Sequence, residues 1–170
     1  MTADGLEFIC ELLKDSHDLA SFDSSNAELD TWLRKSALNS DGRNLTKTYI
    51  WVVEGAPAVM AYFTLMPYVI EREALTAKQG RGLPDHISGY ILARLALHRN
   101  LHGQRLGSQL LANALFRAAS AAREVGGRFV VVDAIDGPAV SLYAHHGFVP
   151  VASDPMRLIL PTKALDQHLS

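Results

Sequence analysis

One junction limits this chain more than any other. Residues 88–98 (SGYILARLALH) are an apolar run suited to a mostly buried strand. Shortly after, Leu106, Leu110, Leu111, Leu115 and Ala118 form one stripe of an amphipathic helix expected over residues 106–123. Between them stand Arg99, Asn100, Leu101, His102, Gly103, Gln104 and Arg105. A buried strand that turns straight into a helix leaves amides pointing outward at the positive end of the helix dipole, so an anion can dock there. Gly103 and Gly107 let a ligand approach the backbone closely, and Arg105 adds a full charge. The stretch is neither the GxxxxGK[ST] phosphate loop nor the GxGxxG dinucleotide fingerprint. On its own, such a turn is equally readable as a plain tight connection.

The surrounding pattern sets the fold class. Ser25-Asn26-Ala27-Glu28 reads as a capping box that opens a helix to about Leu38, with Leu29, Trp32, Leu33 and Ala37 on one face. Asn39-Ser40-Asp41-Gly42 is expected to break it. Strands over residues 48–53 and 58–66 form a hairpin through Glu54-Gly55-Ala56-Pro57. A polar loop with Gly80, Gly82 and Pro84 leads to the strand of the junction. Gly126-Gly127 stops the long helix, and residues 129–134 make a continuous apolar strand. Pro138 begins a short helix that Gly147 ends, and residues 157–160 supply a last strand. The expectation is an α/β fold with a mixed sheet and helices, built as one domain over residues 1–170.

Composition removes whole classes of function. With 48% hydrophobic and 20% charged residues the chain is globular rather than disordered. No apolar run approaches the ~20 residues of a membrane span, and the start lacks a basic region before its apolar stretch, so a cytoplasmic location is expected. Cys10 is the single cysteine, which rules out a disulfide framework and a cysteine-based zinc site; no metal is expected. The formal net charge of −2 argues against a surface that is basic throughout. It is unevenly spread. Asp4, Glu7, Glu11, Asp15, Asp18, Asp23, Glu28 and Asp30 face only Lys14 in the first thirty residues, which leaves the remainder at +5. Six arginines between Arg94 and Arg128 face one acid, Glu124. That suggests a basic working surface for a phosphate-bearing ligand, the alternative being arginines that merely solvate a helix.

Two blocks now carry a resemblance. His102-Gly103-Gln104-Arg105-Leu106-Gly107 resembles the phosphate loop Q/R-x-x-G-x-G/A of the GNAT acetyltransferases. His102 stands in place of Gln or Arg, and Arg105 in place of the middle glycine. The run from Asp133 to Phe148 is similar to that family's strand-then-helix ending in Tyr-x-x-x-Gly-Phe, here Tyr143 to Phe148. The resemblance covers nearly the whole chain. It implies a single-domain GNAT fold, a mixed, mostly antiparallel twisted sheet flanked by helices, with acetyl-CoA in a splay between two central strands. The pantetheine then pairs with the backbone of Leu95, Ala96 and Leu97. The pyrophosphate sits on His102, Gly103, Gln104, Arg105, Leu106, Gly107 and Ser108, and Asp136 also touches the cofactor.

The implied chemistry is direct attack of a neutral amine on the thioester. Amides left free by the splay would supply an oxyanion donor. Tyr143 stands where the family often places the general acid for the leaving thiolate, although an aromatic there also serves packing. No convincing general base is visible among Glu54, Asp133, His98, His145 and His146. An α-amine with pKa about 8 loses its proton at neutral pH for roughly 1 kcal/mol, a lysine amine near 10.4 for over ~4 kcal/mol, so a site without a strong base suits the α-amine.

Phe22 to Leu33, Leu92 to Leu97, the His-Gly start of the loop and Tyr143-Ala144-His145-His146-Gly147-Phe148 are similar to GNAT toxins of bacterial toxin–antitoxin pairs. Such toxins acetylate the α-amine of aminoacyl-tRNA and block translation, restrained by an antitoxin with a ribbon-helix-helix domain. Dimers are common in the family, so a homodimer is one expectation. Arg94 and Arg99 are the candidate tRNA contacts, with Arg43, Lys47 and Arg105 as further cations. The acidic start would face a basic partner such as the antitoxin or lie away from tRNA. Two alternatives stand beside this reading: an acetyltransferase of a small amine or peptide N-terminus, and a non-catalytic acetyl-CoA-binding domain.

Overall fold

The computed structural model describes residues 2–3 and 6–169. Its first elements lie where the sequence pointed to none. Strand β1 (Thr2–Ala3) pairs antiparallel with β2 (Leu6–Leu12), and β2 pairs antiparallel with β3 (Lys47–Val53) from Phe8↔Val53 to Leu12↔Tyr49. Phe8 is buried and stacks on Trp51 with ring centroids 5.3 Å apart, so one aromatic anchors a strand that is otherwise interrupted by acids.

Helix α1 (Ala27–Lys35) is capped one residue later than the sequence suggests. Asn26 accepts from the amides of Glu28 (3.1 Å) and Leu29 (3.2 Å), while Ser25 takes φ 71° and donates its own amide to Asp23. The expected Ser25–Glu28 capping box is therefore not the start of this helix. Leu33 and Ala37 are fully buried, with Trp32 half-buried beside them. The expected break at residues 39–42 is instead a second helix, α2 (Ala37–Gly42), and the turn falls at Asn44 with φ 58°.

The hairpin continues into β4 (Ala61–Glu71), registered from Lys47↔Leu65 to Trp51↔Ala61. It starts later than expected because Ala58 bridges to Asp18 and the Val59 amide donates to the Asp18 carbonyl. The polar stretch after it contains a 3-10 turn (Arg72–Ala74) and α3 (Ala77–Gly80), which a Thr76/Gln79 capping box opens. Strand β5 (His86–Leu97) follows, then α4 (Leu106–Val125), β6 (Phe129–Asp133), α5 (Gly137–His145), β7 (Val149–Val151), β8 (Asp154–Pro161) and a 3-10 segment (Thr162–Leu169).

Neighbouring strands run β1-β2-β3-β4-β5-β6-β8-β7, and β5–β6 is parallel while the pairs on either side of the hairpins are antiparallel. This is the expected mixed, mostly antiparallel sheet of a GNAT fold with helices. By its contacts the chain divides into two compact units, residues 1–66 with 94–114 and residues 67–93 with 115–170. The first has a core of Leu13, Phe22, Leu33, Ile50, Val52, Val59, Tyr62 and Ala96. The second packs Ile70, Leu75, Ile87, Phe129, Val131, Val151 and Ile159. Phe129 to Val132 are all buried, as befits a strand covered on both faces. Among the described residues no helix is long and apolar enough to cross a membrane.

Candidate active site

In the first unit, the end of β5 is held from both sides. The His98 amide donates to the Met60 carbonyl (2.8 Å) and the Arg99 amide to the Asp23 carbonyl (2.8 Å). A 3-10 turn (Arg99–Leu101) then reverses the chain, capped by the His98 ring, whose Nδ1 accepts from the Asn100 amide at 3.1 Å. That bond uses the lone pair a base would need, so His98 is a cap. The His102 ring lies 3.0 Å from the Leu97 carbonyl through Nε2, a contact in which the ring must donate, and it staples the loop back to the strand. Gln104 adds a bond to the Asn100 carbonyl (3.1 Å).

Gly103 takes φ 78° and Arg105 takes φ 60°. The left-handed region costs a side-chain-bearing residue roughly 1–2 kcal/mol. Arg105 thus stands where the motif has a glycine and yet keeps the backbone that a glycine would adopt. No atom lies within 4 Å of a Cβ built on Gly103, so the protein leaves that side of the loop open. His102 to Arg105 are exposed, Gly107 and Ser108 are half-buried, and Leu106 points into the core at 1% exposure. The sequence-named residues Leu95 to Leu97 and His102 to Ser108 therefore form one strand, one loop and the first turn of α4, whose amides lack intrahelical acceptors.

Three of the candidate tRNA cations of this unit, Arg94, Arg99 and Lys47, are already engaged. Arg94 lies over the Trp32 ring, 3.7 Å from its centroid, and burial lowers its pKa from the usual guanidinium value, with Tyr62 and Glu28 opposing. Tyr62 donates to the Leu29 carbonyl at 2.7 Å and stacks on Trp32 in turn. Arg99 pairs with Asp23 at 3.4 Å on the surface, and Lys47 with Asp41 at 3.2 Å. Several acids of the N-terminal segment are also spent internally: Asp30 accepts from the Ser24 amide and hydroxyl (2.6 Å), Asp18 from the Ala20 amide, and Glu11 meets His17 at 2.7 Å.

In the second unit, the parallel ladder runs from Gly89↔Phe129 to Leu92↔Val132, and β5 itself extends to Leu97. Asp133 ends β6 with both carboxylate oxygens held by Arg157, at 2.7 and 2.8 Å. The Arg157 guanidinium also reaches the Tyr68 hydroxyl at 2.6 Å, and its bond to Asp133 raises its pKa. This pair, 24 residues apart, had no signature in the sequence, and it occupies the carboxylate that was one candidate base. Glu54 is exposed in the hairpin turn, and His145 and His146 pack edge-to-face on each other. Asp136 caps α5 by accepting from the Ala139 amide at 2.8 Å.

Tyr143 is 8% exposed and sits on α5. The Tyr-x-x-x-Gly-Phe pattern has a local cause. Gly147 takes φ 95° after the helix, the Phe148 amide returns to the Tyr143 carbonyl (3.2 Å), and the Phe148 ring meets Tyr143 edge-on at 5.7 Å. Burial, with Asp133 and Asp136 adding negative charge nearby, pushes the phenol up to about 12. The hydroxyl therefore stays protonated throughout the physiological range and is available as a hydrogen-bond donor.

Comparison with known proteins identifies the family of the chain. Residues 47–150 match the family model described as an acetyltransferase (GNAT) domain. The chain is 30% identical over 151 residues to the tRNA-acetylating toxin of Mycobacterium tuberculosis (strain ATCC 25618 / H37Rv), covering 89% of this chain and 90% of that protein. The structure of AtaT complexed with acetyl-methionyl-tRNAfMet superposes with a TM-score of 0.88 at 28% identity, covering 96% of this chain and 100% of that one. A mutant AtaT toxin bound to the C-terminus of the antitoxin AtaR and acetyl-CoA gives 0.79 at 28% identity, covering 95% and 97%.

Proposed function

The chain belongs to the GNAT acetyltransferase family, and on that premise we propose that it transfers acetyl from acetyl-CoA to the α-amine of aminoacyl-tRNA, acting as a translation-blocking toxin. The observation that carries the reading is the loop before α4, where Gly103 and Arg105 both hold left-handed backbone and expose their residues at a helix N-terminus. A pyrophosphate there is gripped by amides and the helix dipole, so His102 and Arg105 can replace the motif's usual residues without loss of the grip. The likeness to tRNA-acetylating toxins supports the choice of acceptor.

Acetyl-CoA supplies an acyl group already activated as a thioester. Leu95, Ala96 and Leu97 offer strand backbone for the pantetheine, and the loop from His102 to Ser108 orients it through the phosphates. In the transfer a C–N bond forms, the C–S bond breaks and one amine proton is left over for the sulfur. Tyr143 supplies the donor at that sulfur. With a phenol near 12 against a thiol near 8.5, complete donation is uphill by about 5 kcal/mol, so the hydroxyl hydrogen-bonds to the developing thiolate while the amine's proton makes up the balance. Asp133 is clamped by Arg157 and Asp136 accepts from the Ala139 amide, so neither carboxylate is free to act as a strong base, which favours an acceptor that is already largely neutral. We assign a ribbon-helix-helix antitoxin as the restraining partner.

The test is incubation with acetyl-CoA and a pool of charged tRNAs, followed by mass analysis of the released amino acids. N-acetylated product from a subset of tRNAs is expected. Rapid acetylation of free amines or peptide N-termini, with no product from any charged tRNA, would leave the enzyme but remove this substrate.

A further inference from the structure

The six arginines between Arg94 and Arg128 separate into groups once their surroundings are known. Arg94 is stacked on Trp32, and Arg99 is paired with Asp23. Arg123 and Arg128 instead line an open hollow of about 350 Å³ in the second unit, together with Ala122, Gly127, Thr162 and Lys163. Among the described residues Asp166 is the carboxylate in that lining. Arg123, Arg128 and Lys163 are exposed, and among the described residues no ion pair involves them.

The hollow is built, not incidental. The Thr162 hydroxyl, on a residue 7% exposed, donates to the carbonyls of Gly127 (2.6 Å) and Arg128 (3.0 Å), and the Arg128 carbonyl also takes the Thr162 amide at 2.8 Å. These bonds tie the exit of α4 to the residue after β8 and so bring Arg128 and Lys163 into one lining. Arg123 adds its charge in the last turn of α4, where the helix dipole favours a cation. The size suits a sugar-phosphate unit rather than a bare ion. Beside it Phe129 is buried at 1% exposure, with the Arg128 guanidinium 5.7 Å from its ring centroid, and the Tyr90 ring packs against Gly127. Arginine and lysine cations in such a lining grip phosphate groups, contacts that position a nucleic acid without reading its sequence.

We propose that this hollow is a second contact for the tRNA, seating phosphodiester groups of its backbone through Arg123, Arg128 and Lys163. The proposal rests on aminoacyl-tRNA being the acceptor. It gives the chain of net charge −2 a localised nucleic-acid surface away from its acidic N-terminal segment in the sequence. Because the contact is remote from the reacting atoms in chemical role, it contributes binding common to ground and transition states.

The experiment compares the wild type with the triple variant Arg123→Gln, Arg128→Gln, Lys163→Gln and with Asp166→Asn. Each is assayed on full-length charged tRNA and on a short aminoacylated oligonucleotide ending in the same 3′ nucleotides. The triple variant should raise KM for the full tRNA about tenfold at ~0.1 M salt, lower the salt slope of log KM by about three, and leave kcat unchanged. The short acceptor should show no change, and Asp166→Asn should lower KM for the full tRNA. An unaltered KM and salt slope on full tRNA, or an equal loss on the short acceptor, overturns the proposal. So does a loss confined to binding of phosphatidylserine vesicles, which would make the hollow a membrane contact. Filter binding of tRNA separates the two failures. A wild type that binds tRNA through the hollow but acetylates none refutes the acceptor, whereas one that acetylates charged tRNA regardless of the hollow refutes only the contact.

Discussion

The loop before α4 and the turn after α5 both bend on left-handed backbone, but they put it to different uses. In the loop, Gly103 and Arg105 both take left-handed backbone, although the side chains at 102 and 105 differ from the family motif. At the end of α5, the left-handed Gly147 serves to set Phe148 against Tyr143, a single side chain with a specific proton. A grip made of backbone tolerates exchange of side chains as long as φ is kept. A proton donor, the role proposed for Tyr143, tolerates none. The same degree of sequence departure would therefore be silent in one region and fatal in the other.

The strongest way to break that contrast is Tyr143→Phe. Removing one hydroxyl from a positioned donor is expected to lower kcat by 10²- to 10⁴-fold while KM for acetyl-CoA changes only a few-fold. Near-full turnover in steady-state assays would reduce Tyr143 to packing and erase the difference between the regions. The same variant has a stability signature. The folded phenol holds its proton to about 12, whereas an unfolded tyrosine releases it near 10, so the folded state binds the extra proton in between. Stability from this residue is complete below pH 10 and lost as pH rises from 10 to 12, by about 2–3 kcal/mol. Urea melts should show that alkaline loss in the wild type and a correspondingly smaller one in Tyr143→Phe.

The loop is probed by Gly103→Val. A β-branched residue at φ 78° is strained by roughly 1–2 kcal/mol or more, and the loop should relax away from its amide-presenting shape. KM for acetyl-CoA is expected to rise about tenfold with kcat little altered. An unchanged KM would mean that the pyrophosphate is not held here.

What could be read in advance follows the same division. α4 and β6 were legible because their signals are long and periodic, five residues on one stripe and an unbroken apolar run. β2 was not, because Glu7 and Glu11 interrupt it and its burial depends on Phe8 meeting Trp51, a partner 43 residues away in the chain. The start of α1 was misplaced by one residue because Ser25 and Asn26 are both good caps, and only the structure shows that Ser25 spends its conformation on φ 71°. The loop and Tyr143 were visible as motifs, yet the Asp133–Arg157 clamp was not, since it joins residues 24 apart. Charge counting locates an arginine-rich stretch but cannot tell Arg94, 3.7 Å over the half-buried Trp32 ring, from Arg128, exposed in the lining of the hollow with the Phe129 ring 5.7 Å away.

Arg105→Gly is the smallest effect and the sharpest test of the backbone half of the contrast. The substitution removes a left-handed penalty of about 1–2 kcal/mol but gives the unfolded chain more freedom, worth ~0.4–1 kcal/mol, so the protein should become slightly more stable. Its guanidinium is exposed, so any contact with a pyrophosphate is that of a solvated charge and should be screened by salt. The expected result is a small rise in Tm and a change in KM for acetyl-CoA within about fivefold, shrinking further at high salt. A loss as large as that of Gly103→Val, persisting at high salt, would show that Arg105 grips the ligand through its side chain. In that case the departure from glycine would be a replacement of backbone recognition, and the two regions would differ less than their geometry implies.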